Sequence, residues 1–147
     1  MGKKYKIGYT TGVFDLFHIG HLNILRRAKE QCDCLIVGVS TDELVEQYKH
    51  KRPVIPFEDR LEIVRAIRYV DRAVPQVSMD KTAAWRELRF NALFHGDDWK
   101  GSDMYNEAEE KLRALGVDTV FLPHTAGVSS TQLVEILQVT RGTSDDR

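Results

Sequence analysis

YKIGYTTGVFDLFHIGHL, residues Tyr5 to Leu22, opens as an apolar run with β-branched residues and ends with two imidazoles three positions apart around Gly20. The first part has the make-up of a strand and the residues after it recur at helical spacing, so the stretch predicts a strand, a tight loop and a helix start. His18, Gly20 and His21 then fall near the helix N-terminus. There the backbone N–H groups and the positive end of the helix dipole favour bound phosphate. Gly20 omits a side chain where a ligand could approach the backbone. A metal site would need a third histidine or carboxylate at matching spacing. None lies nearby, so no metal site is expected and position favours an anion.

Working outward, further apolar strands are expected at CLIVGVS, NALFHG and DTVFLP, with helical periodicity between them. Leu22, Leu25, Ala28 and Cys32 share one helix face, and Phe57, Leu61, Val64 and Ile67 share another. NEAEEKLRALG reads as a crossover helix closed by a glycine. A last helix begins at Ser129 or Ser130 and buries Leu133, Ile136 and Leu137. Alternation of this kind predicts an α/β fold: a single Rossmann-like domain with a parallel sheet covered by helices on both faces. Its ligand is expected beyond the carboxyl ends of the strands, where strand order reverses.

The 147 residues suffice for one domain with its own core, expected over residues 1–140, with RGTSDDR at 141–147 a disordered tail. Twenty-one basic against 22 acidic side chains leave a net charge of −1, which excludes the global basic field of a non-specific nucleic-acid binder. Cys32 and Cys34 form C-x-C without a second ligand pair and read as reduced cysteines, not a zinc site. No signal-peptide core and no apolar run of about eighteen residues occurs, so no membrane insertion and a cytoplasmic location are expected.

GVFDLFHIGH closely resembles the HxGH signature of nucleotidylyltransferases, in the cytidylyltransferase form GxFDxxHxGH shared by the choline-phosphate, ethanolamine-phosphate and glycerol-3-phosphate enzymes. STDELVEQYKHKRPVIPFEDR, IRYVD, HGDDW and HTAGVSST resemble the family's later blocks in order, the last two in the form of the glycerol-3-phosphate branch. Together with Lys81 in SMDKTAAW, the resemblance spans Tyr5 to about Leu137.

The resemblance implies attack by a phosphate oxygen of a small phosphorylated alcohol on the α-phosphorus of CTP, with Mg2+ on the triphosphate. It implies a homodimer as well. His18, His21 and Lys51 stand as the catalytic residues, the imidazoles contacting the CTP phosphates and steadying the transition state. Val13, Phe14, Ile19 and Gly20 join them in nucleotide binding. So do His124, Thr125, Ala126, Gly127, Val128, Ser129, Ser130 and Thr131, a second phosphate loop. Lys49 and Lys81 match positions that hold the acceptor's phosphate.

Arg60 and Arg68 read as one basic edge of a helix that grips phosphate, against surface pairs with Glu58, Asp59, Glu62 or Asp71. Phe14 and Leu16 themselves read as core rather than ligand contacts. Asp15 is open between a part in the site and a turn aspartate that accepts backbone N–H bonds. Asp97, Asp98 and Trp99 stand between ligand contacts and simple capping or packing. The branch has Thr where this chain has Val13 and Arg where it has His124, which bears on the acceptor more than on the reaction. A non-catalytic module that binds CTP as an effector is the competing reading, and transfer to choline phosphate, ethanolamine phosphate or another polyol phosphate the competing chemistry. No G-x-G-x-x-G follows the first strand, which disfavours a dehydrogenase.

Overall fold

The computed structural model describes residues 3–96 and 103–123. Strand β1 (Tyr5–Gly12) leads to helix α1 (Ile19–Gln31), which passes directly into β2 (Cys32–Ser40). Two helices follow, α2 (Asp42–Lys49) and α3 (Phe57–Arg65), then β3 (Arg72–Gln76), α4 (Lys81–Leu88), β4 (Ala92–Gly96), α5 (Asp103–Ala114) and β5 (Asp118–Leu122). All the pairings are parallel and the strand order is β3-β2-β1-β4-β5. The expected Rossmann-like α/β architecture is therefore present. The helix expected from Ser129 or Ser130 and the tail expected at 141–147 lie outside the described residues.

Burial on both faces explains the near-continuous apolar strands. In β2, Leu35, Val37 and Val39 enter one core with Leu25 and Ala28 of α1 and Leu61 and Val64 of α3. Ile36 points the other way, into a core with Tyr9, Phe90, Leu93 and Leu112, covered by Ala84, Trp85 and Leu88 of α4. The period of two along a strand divides these residues between two helical layers. At Gly8 an added Cβ would stand 2.5 Å from Phe94 Cε2 and 2.8 Å from Cys32 Sγ, so glycine lets β1 lie flush against its neighbours.

Three elements were not expected. RAVPQ is polar and holds a proline, yet it forms β3, where Pro75 pairs with Val39. As a sheet edge, β3 tolerates the missing N–H. Helices α2 and α4 have eight residues each, too short for a clear periodic signal, and their starts are fixed by Thr41 and Asp80 side-chain caps. Helix α3 stops at Arg65, before Ile67.

Candidate functional site

Chain direction reverses about β1. The path runs from β1 outward through β2 to β3, then returns to pair β4 on β1's other side. The carboxyl end of β1 is thus the switch point where such sheets hold ligands. Here Phe14 and Leu16 adopt left-handed backbone, with φ of 55° and 49°, in the loop that turns the chain from Gly12 into α1. Phe14 is buried, its ring folded back over Gly12, in agreement with the core reading of that residue.

His18 is the N-cap of α1. Its Nδ1 accepts the Gly20 N–H at 3.0 Å, and its own N–H donates to His21 Nδ1 at 3.2 Å. Imidazoles here make a reciprocal cap of the kind usually formed by a serine and a glutamate. Because both Nδ1 atoms accept, each neutral ring carries its proton on Nε2. The rings stack with centroids 4.0 Å apart, and Phe14 and Phe17 lie 5.4 and 5.2 Å from His21.

Burial pushes the His21 imidazole down to about 3, with the neighbouring His18 adding to the fall, and burial lowers His18 as well. At neutral pH the pair is uncharged and presents N–H donors. His18 Nε2 is buried with no hydrogen-bond partner among the described residues, which leaves it free to serve an incoming anion. Sequence reasoning assigned phosphate to the free amides of this helix start. The Gly20 amide is already taken by His18, so that N–H is not available to a ligand. Ile19, in the same turn, is 49% exposed.

Lys81 begins α4 and is 6% exposed, with Nζ 2.7 Å from Thr11 Oγ1 near the end of β1. Among the described residues it has no carboxylate partner. Burial lowers this ammonium to about 8. An ammonium bonded to one hydroxyl keeps further N–H donors with which an anion could be met. His95 of β4 is also buried and neutral, pushed to about 3 by burial and by the nearby Lys81 ammonium. Within HGDDW nothing local marks His95; its burial beside Lys81 does.

Lys49 ends α2 and Lys51 follows in the next loop, both exposed. Partial desolvation of an otherwise exposed side chain and the neighbouring Lys51 charge lower the Lys49 ammonium, opposed by Asp15. Asp15 anchors this loop, accepting the N–H of Val54 at 2.8 Å and of Ile55 at 2.9 Å. The carboxylate does bond backbone N–H groups, those of a segment some forty positions away.

Two expectations are corrected. Arg60 does not face phosphate: its side chain is fully buried, and its guanidinium bonds Ile55 O, Val13 O, Ser40 O and Asp42 Oδ1 at 2.8, 2.7, 2.7 and 2.6 Å. A guanidinium so engaged has little left to offer a ligand. Arg68 shares no helix with it, since α3 ends at Arg65. It lies in the turn leading to β3, at the amino ends of the strands, with its guanidinium 5.6 Å from the Tyr69 ring. Within one chain the sheet separates Arg68 from Lys49 and Lys81. Asp71, expected as its partner, binds Lys29 Nζ at 2.6 Å and the Leu35 N–H at 2.7 Å. His124, Thr125, Ala126, Gly127, Val128, Ser129, Ser130 and Thr131 lie outside the described residues, as do Asp97, Asp98 and Trp99.

A switch-point site with paired imidazole donors and nearby lysines, carrying the signature loop, defines the class: a nucleotidyltransferase. The chain belongs to the cytidylyltransferase-like family, which matches residues 9–136. It is 35% identical over 133 residues to the glycerol-3-phosphate cytidylyltransferase of Bacillus subtilis (strain 168), spanning 86% of this chain and 92% of that protein. It is 40% identical over 119 residues to the FAD synthase of Pyrococcus abyssi (strain GE5 / Orsay), 77% of each chain. The solved lipopolysaccharide core biosynthesis protein from Thermoplasma volcanium GSS1 matches with a TM-score of 0.69 at 26% identity, covering 82% of this chain and 97% of that one.

Proposed function

We propose that the protein transfers CMP from CTP to glycerol 3-phosphate, giving CDP-glycerol and pyrophosphate. The observation that carries this reading is the pair of neutral imidazole donors at the end of β1, with the buried Lys81 ammonium tied to the same strand through Thr11. An oxygen of the acceptor's phosphate attacks the α-phosphorus as the bond to the pyrophosphate oxygen breaks. That oxygen is already a nucleophile, so no base is required. Catalysis comes from positioning and from donors aimed at growing negative charge.

His18 and His21 supply Nε2–H donors to the triphosphate, Lys51 adds charge there, and Lys81 and Lys49 hold the acceptor's phosphate. Magnesium is assigned to the triphosphate, where it offsets charge; among the described residues no group of three His, Cys, Asp or Glu side chains is placed to hold an ion. The similarity to an enzyme named for glycerol 3-phosphate supports the acceptor.

The similarity to an FAD synthase supports a second reading, an acceptor with a larger phosphorylated body. Pyrophosphate release measured with CTP or ATP against glycerol 3-phosphate, choline phosphate, ethanolamine phosphate and flavin mononucleotide separates them. Turnover with CTP and glycerol 3-phosphate is expected. Release only with another pair replaces the assignment, and no release with any pair leaves the effector-binding module.

The protein acts in the cytoplasm as a homodimer. Among the described residues no helix is long and apolar enough to cross a membrane. The dimer is what the resemblance to the cytidylyltransferase family implies. Light scattering that shows only a 16.9 kDa species removes the dimer.

A further inference from the structure

Arg60 is buried, yet it is bonded to three separate segments. Its Nη1 donates to Val13 O in the signature loop and to Ser40 O at the end of β2, while its Nε donates to Ile55 O in the segment after Lys51. Nη2 meets Asp42 Oδ1, and the other Asp42 oxygen accepts the Phe57 N–H at 3.2 Å, at the start of α3. From the opposite direction Asp15, in the signature loop, takes the N–H groups of Val54 and Ile55. The backbone of Ile55 is therefore gripped at both its N–H and its C=O.

Stability alone is a poor reason for such a device. A buried ion pair is often no more stabilising than packed apolar groups, because both charges lose their water. What a planar guanidinium with directed donors supplies is fixed relative placement of the carbonyls it joins. Two of those carbonyls belong to the loop carrying His18 and to the segment that follows Lys49 and Lys51, and the third, Ser40 O, ends β2 between them.

We propose that Arg60 is a positioning residue: with Asp15 and Asp42 it clamps the lysine loop to the imidazole loop and so sets the spacing of two phosphate-binding halves without touching substrate. The inference rests on the reading that Lys51 and His18 serve one triphosphate. Displacement by about 1 Å of a positioned group can cost about a hundredfold in rate, so a loosened clamp should show in turnover.

The test uses the full chain with Arg60→Lys, which keeps the charge but loses the fork, and Asp15→Asn, which exchanges one acceptor oxygen for a donor and leaves Arg60 intact. Limited trypsin digestion is followed by mass spectrometry at Lys49 and Lys51; Arg52 precedes Pro53 and is not cut. Cleavage at Arg113, in α5, reports general unfolding. The clamp predicts cleavage at Lys49 and Lys51 about tenfold faster in both variants, Arg113 unchanged, and kcat down about tenfold or more. A fall in kcat with the loop cut at the wild-type rate, or a loosened loop with unchanged kcat, overturns it. Should Arg60→Lys fail to fold, Asp15→Asn decides alone. The cleavage result holds whichever nucleotide is used, whereas the identity of the substrates is judged on wild-type pyrophosphate release.

Discussion

His18 and His21 hold each other: the backbone N–H of the first donates to Nδ1 of the second at 3.2 Å, and their rings stack 4.0 Å apart. The cap that starts the helix thereby also fixes the tautomer, with the proton on Nε2. Under the proposed function, helix capping and phosphate binding use opposite nitrogens of the same ring.

These two duties can be separated. Asparagine is a good N-cap but cannot reach as far as imidazole Nε2. His18→Asn should keep the thermal midpoint within a few degrees of wild type while kcat falls about a hundredfold, the scale for one lost preorganised donor. Unchanged kcat with raised CTP KM would reassign His18 to ground-state binding, as transition-state groups change turnover most.

His95 makes stability depend on pH in a known direction. Its folded value is pushed to about 3, so it is neutral in the fold, whereas in the unfolded chain it gains a proton below about 6.5. The unfolded state then binds more protons, and the contribution of His95 is present above 6.5 and lost as pH falls towards 3. His95→Gln should flatten the fall of unfolding free energy between pH 6 and 4 by about 1.4 kcal/mol per pH unit. Parallel curves from denaturant titrations would mean that His95 is solvated or charged in the fold.

Lys81 titrates in the alkaline range. Lowered to about 8, it is charged at pH 7 and loses its proton as pH rises through that value, so KM for the phosphorylated acceptor should climb above pH 8. Lys81→Met should raise that KM at pH 7 and abolish the alkaline climb. It should also raise the melting temperature most at pH 7. The gain fades towards pH 10.5, because only the unfolded chain still keeps the proton there and the wild-type fold is relieved of its buried charge. An alkaline climb that survives the substitution belongs to another group.

Gly8→Ala tests packing where β1 meets its neighbours. The new methyl would meet Phe94 and Cys32, both completely buried, and should cost about 1–3 kcal/mol. Chemical denaturation reads the loss, and kcat of the folded fraction should stay at the wild-type value. A neutral substitution would show that this part of the core yields.

The sequence by itself determined what depends on neighbours along the chain. The signature run, its apolar strand and the i, i+3 histidines specify a loop ending in a helix cap, because strand alternation, helix periodicity and capping are short-range effects. The two-sided sheet followed from strands too apolar to face water. Tertiary structure alone decided which charges are buried. Arg60 and Arg68, alike in type and eight positions apart, part company because α3 runs from the ligand end of the sheet to the other: one guanidinium turns inward onto carbonyls of three segments, the other stays at the far end. The polar RAVPQ became a strand because β2 offered it an edge, and Lys81 became a buried ammonium bonded to the Thr11 hydroxyl because folding stripped its water. Burial and desolvation are sums over residues distant in sequence, so local pattern does not contain them.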